Sequence, residues 1–333
     1  MTISEIAALW KKEHFEYIKP SSVAAYELIL RNHVIPLFGN EENIDEEMVQ
    51  GFVRKKLDAG LSVKSINDVV IVIKMILKFG AKRHWCDAPI DWKIRYPSRT
   101  EESKRLPCWN VHYQRKMIDY LKEHFDFRAL GVLITMETGM RIGEVAGLRW
   151  SDFDLENKVL YVNRTVERIY EFDETGKGKT RLLIGDTKTV SSNREIPLSK
   201  DLLFFIRPLL KICESDYYVT SNSPRPCEPR TYRNYYRGLC KKVGVPYIKF
   251  HGLRHTFATR LIDAKCDIKT VSALLGHANI TTTLNIYVHP DREQKKNAIN
   301  AMLRRVNSKK TADDFDTSFL ENNKQSNEQN NER

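Results

Sequence analysis

A mainly α-helical fold in two domains, with a small antiparallel β-sheet confined to the second, is what the residue pattern predicts. Three observations carry it. Apolar residues recur at helical spacing over residues 2–95, a polar stretch with proline near both ends covers 95–107, and alternating segments after 158 give way to helical spacing again from Asp201. With 333 residues, 41% of them hydrophobic, the chain is long enough for about two cores.

In SVKSINDVVIVIKMILKFGAKRHW the residues Ile66, Val69, Val70, Ile73, Ile76 and Leu77 lie on one helical face. Shorter amphipathic stretches around 3–10, 23–30 and 46–57 complete a small all-α domain over residues 1–98. RYPSRTEESKRLP is polar and charged, so 99–107 reads as an extended linker. The second domain, 108–307, is mixed α/β. It opens with helices at 111–124 and 127–138. KVLYVNRTVERIYEF then alternates, and RLLIGDTKTVSSNREIPL reads as two strands joined by a Ser-Ser-Asn turn. Residues 308–333, rich in Asn, Gln, Asp and Glu, read as a disordered polar tail.

The net charge is +11 and its distribution is uneven. Residues 1–100 carry 15 basic and 13 acidic side chains, whereas from Arg225 to Arg260 there are nine Lys/Arg against Glu228 alone. Such a local field suits a polyanion, most often nucleic acid. No apolar run reaches the ~18 residues of a membrane span, and MTISEIAALWKKEH lacks a signal-peptide pattern, so a cytoplasmic protein without a membrane partner is expected. The six cysteines are scattered, with no CxxC pair, which excludes a disulfide framework and a structural zinc site as expectations.

Two motifs fail on inspection. GKGKT at 176–180 lacks the first glycine of a phosphate-binding loop, Asp173 standing there, and reads as a charged hairpin tip. Asp152 and Asp154 in RWSDFDLEN are two acids just after a helix and before a strand, where carboxylates usually bond their own backbone.

HGLRHTFATRLID, residues 251–263, mixes imidazoles and guanidiniums with Leu253, Phe257 and Leu261. On a helix His251 and Arg254 share a face while the apolar residues turn to the core. Alone, that pattern fits a cleft and a satisfied surface helix equally. Three further segments accompany it. TGMRIGEVAGLRW holds Arg141 and Glu144, GDTKTVSSNREIPL holds Lys188, and LLGHANITTTLNIYVHP places His277 ten residues before Tyr287.

With TGMRIGE, TKT…REIPL, HGLRHTFAT, LLGHANITTT and IYVH in this order, the chain resembles the tyrosine recombinases, or phage-type integrases. YELILRNHVIPLFGN and VVIVIKMILKFGAKRHW are similar, more loosely, to that family's SAM-like core-binding domain, so the resemblance spans roughly residues 2–305. It implies a site-specific recombinase of a mobile genetic element or of chromosome-dimer resolution. Such an enzyme cuts and rejoins double-stranded DNA through a 3′-phosphotyrosyl intermediate without cofactor, metal or ATP. Tyr287 is then the nucleophile, and Arg141 and Arg254 clamp the non-bridging oxygens. Lys188 protonates the leaving 5′-oxygen, with Lys177 and Lys179 as rivals for that role. His251 handles protons, His277 donates to a phosphate oxygen, and Glu144 supports a neighbouring cation or imidazole. His255, Arg260 and His289 are supporting residues. Arg230, Arg233, Arg237, Lys241 and Lys242 are expected on DNA phosphates, which position without reading sequence. Tyr235, Tyr236 and Tyr247 are rival tyrosines, better suited to core or DNA contact.

The same resemblance implies a homotetramer around two duplexes, accessory DNA-bending or excision proteins, and a last helix, carrying Ala298, Ile299, Met302, Leu303 and Val306, that docks on a neighbouring protomer. Because the helical domain begins almost at Met1, an additional arm-site-binding domain is not expected. Two other readings stay open: a type IB topoisomerase, which shares the phosphotyrosine chemistry, and a non-catalytic DNA-binding relative.

Overall fold

The computed structural model describes residues 1–89, 91–97, 107–172, 178–186, 193–287 and 292–306. The chain forms two compact units, Met1–Tyr287 and Val288–Arg333. The first contains two large apolar cores.

The N-terminal core is helical because each helix has a start signal and an apolar face. α1 (Ile3–His14) is capped by Thr2, whose hydroxyl accepts from Glu5 N–H while the Glu5 carboxylate accepts from Thr2 N–H. α2 (Pro20–Ile29) begins on proline and runs through a π-helical turn, Leu30–Val34, into α3 (Ile35–Phe38). Pro36 has no N–H to continue the ladder, and the wider turn falls directly before it. The stretch read as a helix at 23–30 is therefore longer than its apolar periodicity shows. α4 (Glu46–Asp58) and α5 (Val63–Ala81) are capped by Asp45 and Ser62. Ile66, Val69, Val70, Ile73, Ile76 and Leu77 of α5 are all buried in this core. Trp92, Ile94 and Tyr96 pack onto it, and the Gln50 amide pairs with the Arg95 backbone in both directions, accepting at 2.8 Å and donating at 3.2 Å. Apart from Pro107, the stretch read as a linker lies outside the described residues.

The second core is assembled from α6 (Val111–Glu123), α7 (Phe127–Thr138), α8 (Ile142–Ala146), α9 (Lys200–Leu209), α10 (Pro229–Val243) and α11 (His251–Asp263). Trp109, Trp150, Tyr232 and Tyr236 fill its centre. α12 (Ile268–Leu275) packs on α11 through Ala258, Val271 and Leu275, and α13 (Ile280–Tyr287) follows.

Among the described residues the strands form two sheets rather than one. β1 (Phe153–Asp154), β2 (Val159–Val162) and β5 (Arg194–Pro197) are antiparallel in the order β1-β2-β5, with Leu160 opposite Ile196. β3 (Arg164–Phe172) and β4 (Gly178–Asp186) form a separate ribbon, from Arg164 opposite Asp186 to Phe172 opposite Gly178. The two strands of RLLIGDTKTVSSNREIPL therefore do not pair with each other. Leu160, Val162 and Ile196 of the three-stranded sheet are buried, and the ribbon buries Val166 and Ile169 on one side while Tyr170 and Ile184 are exposed. Ser191 and Ser192 of the predicted turn, and residues 173–177 at the ribbon's tip, lie outside the described residues. The ribbon packs on α2, and the Arg31 guanidinium of the π-helical turn that follows stands 4.1 Å from the Phe172 ring centroid.

Asp152 is buried and accepts from Arg149 N–H at 2.8 Å and Arg164 Nη1 at 2.6 Å. Asp154 accepts from Asn157 in a turn. Neither carboxylate belongs to the site described below. Among the described residues no helix is long and apolar enough to cross a membrane. In the second unit, α14 (Arg292–Val306) places positions 298, 299, 302, 303 and 306 along one face by helical spacing. Residues 307–333 lie outside the described residues.

Candidate active site

The local structure of TGMRIGE is a helix stop followed at once by a helix start. Gly139 ends α7 at φ +66°, in the left-handed region that a side chain disfavours, and a Cβ there would stand 2.6 Å from the Phe257 ring. Arg141 is the N-cap of α8, and the Glu144 carboxylate reaches back to accept its N–H at 2.8 Å. The same carboxylate accepts from Arg141 Nη1 at 2.6 Å. Glu144 is 3% exposed; burial raises its pKa, but the Arg194 and Arg141 cations outweigh it and hold the group below its usual value.

Three guanidiniums meet the C-terminus of α12. Arg194 Nε donates to Leu274 O at 2.8 Å, Arg254 Nη2 to Leu275 O at 2.6 Å, and Arg141 Nη2 to Gly276 O at 3.4 Å. Helix C-terminal carbonyls lack partners of their own and carry the negative end of the helix dipole, so cations are favoured there. Arg254, 1% exposed, also donates from Nη1 to Gly139 O at 3.0 Å, tying α11 to the turn that presents Arg141. Gly276 turns the chain at φ +63° and leads into His277.

His277 Nδ1 lies 2.8 Å from Thr283 Oγ1 on α13. When the hydroxyl donates, the neutral ring carries its proton on Nε2 and offers a donor. Position 287 follows one turn after Thr283 on the same helical face. The side chain of Tyr287 and the whole of Lys188 lie outside the described residues, as does Lys177. His251 opens α11 with an exposed edge and stacks edge-on against His255, centroids 4.6 Å apart. Desolvation by the surrounding protein, followed by the Arg254 and Arg141 charges, lowers the His251 pKa to about 4. Burial and the same cationic neighbourhood bring His255 and His277 to about 4 as well, so all three imidazoles are neutral at pH 7.

An open cavity of about 830 Å³ is lined by Arg141, His251, Arg168, Arg230 and Arg233. On α10, positions 230, 233, 237 and 241 fall within one stripe at 100° per residue, and all four are exposed. Lys242 lies off that stripe, its ammonium 5.6 Å from the Tyr120 ring centroid. Of the rival tyrosines, Tyr235 donates to Asp126 Oδ2 at 2.8 Å and Tyr236 is fully buried, and burial raises both pKa values. Tyr247 lies exposed under Arg237.

Sequence reasoning missed Arg194, although REIPL is one of the motifs that carried the resemblance. It gave Arg260 a supporting role without naming a partner. That residue sits on the back of α11, donating to Asp263 at 2.6 Å and to Trp109 O at 2.7 Å. Thr256 Oγ1 accepts Trp109 N–H at 3.0 Å, so the rear of the helix anchors the start of the second core.

Fold and site together define an enzyme of the tyrosine-recombinase class. Residues 114–294 match the phage integrase family, and residues 2–56 match the phage integrase N-terminal SAM-like domain. The chain belongs to the phage integrase family. It is 29% identical over 328 residues to a tyrosine recombinase XerC-like protein of Caldanaerobacter subterraneus subsp. tengcongensis, covering 91% of this chain and 83% of that protein. It is 27% identical over 253 residues to tyrosine recombinase XerA of Pyrococcus horikoshii, covering 74% of this chain and 77% of that one. The Tn1549 transposon integrase, solved in complex with a circular intermediate DNA, shares the fold at a TM-score of 0.74 and 21% identity, over 91% of this chain and 99% of that one.

Proposed function

We propose that this recombinase carries out site-specific strand exchange on double-stranded DNA, with Tyr287 attacking the scissile phosphate. A 3′-phosphotyrosyl bond forms as the bond to the 5′-oxygen breaks, and attack by another strand's 5′-hydroxyl reverses the step. The bond energy is conserved, so no ATP is consumed. The observation that carries the reading is the convergence of Arg141, Arg254, His251 and His277 around the end of α12, with α13 leading from His277 to position 287. Arg141 and Arg254 hold the non-bridging oxygens, each fixed by carbonyls before the substrate arrives. His277 donates from Nε2, and neutral His251 is able to take up the tyrosine proton. Lys188 supplies the proton for the 5′-oxygen. Glu144 orients Arg141.

Residues 1–98 form the helical DNA-binding half, 99–107 the linker, 108–307 the catalytic half and 308–333 a tail, the two halves closing on duplex DNA. Arg230, Arg233, Arg237 and Lys241 hold backbone phosphates along the α10 stripe. Four protomers hold two duplexes, with the apolar face of α14 docked on a neighbour. Accessory DNA-bending or excision proteins act on the assembled complex. The protein works in the cytoplasm.

Sequencing the junctions made in cells expressing the protein identifies the site. A nicked duplex bearing that site then traps a covalent adduct, which Tyr287→Phe must abolish; an undiminished adduct removes Tyr287 as nucleophile. A 5′-thiol leaving group, which departs without protonation, should rescue Lys188→Ala. Failure of that rescue reassigns the acid to Lys177, Lys179 or another group.

A further inference from the structure

Arg194 touches the site from behind. Its Nη2 and Nη1 donate to Glu144 Oε2 and Oε1 at 2.9 and 3.3 Å while Nε donates to Leu274 O at 2.8 Å. Its side chain is 6% exposed and that of Glu144 3%, so this ion pair is shielded from solvent. Glu144 therefore receives four donors: two from Arg194, plus the backbone N–H and Nη1 of Arg141. Of the two cations, only Arg141 reaches the open cavity, its side chain 37% exposed.

The charges of this cluster decide what Arg141 can do. A lone Glu144–Arg141 pair would be neutral and a weak phosphate ligand. With Arg194 included, the triad carries one net positive charge, and the exposed member presents it. We propose that Arg194 is a positioning residue for the reaction: it holds Glu144 by a two-pronged contact, so that Arg141 keeps both its direction and its charge for the scissile phosphate. The inference rests on the reading of Arg141 as a phosphate clamp. The planar fork matters, because a lysine at 194 supplies the charge without the paired geometry. The mounting is rigid as well, since β5 is held by Ile196 in the core.

The test is single-turnover adduct formation on the nicked site duplex, with DNA affinity and thermal melting measured in parallel. Arg194→Ala should slow cleavage about 10²-fold, the scale of losing one preorganised donor, with little change in duplex affinity. Arg194→Ala combined with Glu144→Gln should cleave faster than Arg194→Ala alone, because the neutral amide no longer cancels Arg141. A role confined to holding the fold predicts the reverse order. Arg194→Lys, which keeps the buried charge, should cleave more slowly than wild type, and it carries the comparison if Arg194→Ala no longer melts cooperatively. Wild-type cleavage by Arg194→Lys or Arg194→Ala, or a double variant no faster than Arg194→Ala, overturns the inference alone. A wild-type protein that forms no adduct overturns the strand-exchange reading and this inference with it.

Discussion

Arg254 and Arg141 donate to adjacent carbonyls at the end of one helix, Leu275 O at 2.6 Å and Gly276 O at 3.4 Å. Two like charges brought this close repel. The negative end of α12, the Gly139 carbonyl and the Glu144 carboxylate together offset that repulsion. The paired cation geometry is therefore fixed by the protein's own groups, the kind of preorganisation that the proposed phosphate clamp needs.

Arg254→Lys tests this arrangement most directly. An ammonium cannot reproduce the fork that spans Gly139 O, Leu275 O and a phosphate, so single-turnover adduct formation should fall by about 10²–10³-fold. Duplex affinity, dominated by contacts elsewhere, should change far less.

Gly139→Ala should cost stability and rate together. The left-handed conformation costs a side chain roughly 1–2 kcal/mol, and the added Cβ meets Phe257. Because Gly139 O is an Arg254 acceptor, cleavage should slow in the same variant. Urea unfolding and adduct kinetics check the two effects separately.

The lowered histidines set a pH dependence of stability. His251, His255 and His277 titrate near 4 in the folded protein against an ordinary 6.5. Between those values the unfolded chain binds more protons, so stability is fully present above pH 6.5 and falls as pH drops toward about 4. Glu144, lowered from 4.5, adds its own loss as pH falls through about 4.5 and below. Thermal midpoints across this range should decline, and His255→Asn, which removes the most buried of the three, should flatten the decline.

The α10 stripe makes a prediction about salt. Removing a phosphate contact reduces the slope of log affinity against log salt by about 0.9, so Arg230→Ala, Arg233→Ala, Arg237→Ala and Lys241→Ala should each do so. Lys242→Ala, turned away over Tyr120, should leave the slope at its wild-type value. Titrations at several salt concentrations distinguish the stripe from a uniformly basic helix.

Much of the fold was legible along the chain. The period of α5 and the helices near 111–124 and 127–138 follow from local spacing, whereas the caps at Ser62, Asp45 and Asp126 are seen in the structure. Strand pairing was not. β4 and β5 are neighbours in sequence, yet each finds its partner elsewhere, because the choice depends on which faces the core closes over. Asp152 looked like a turn residue and is a buried partner of Arg164 at the start of β3.

The site divides in the same way. Arg141, His251, Arg254, His277 and Tyr287 could be picked out from the sequence because their motifs, in order, resemble those of the tyrosine recombinases. The roles of the residues around them depend on contacts between positions far apart in the chain. Arg194 reaches Glu144 across 50 residues and Arg260 reaches Trp109 across 151, and no local spacing encodes either contact. Only the tertiary packing of α12 against α11 and β5, with the start of α8 alongside, brings three guanidiniums to one helix end, where unpaired carbonyls need donors that the helix itself cannot supply.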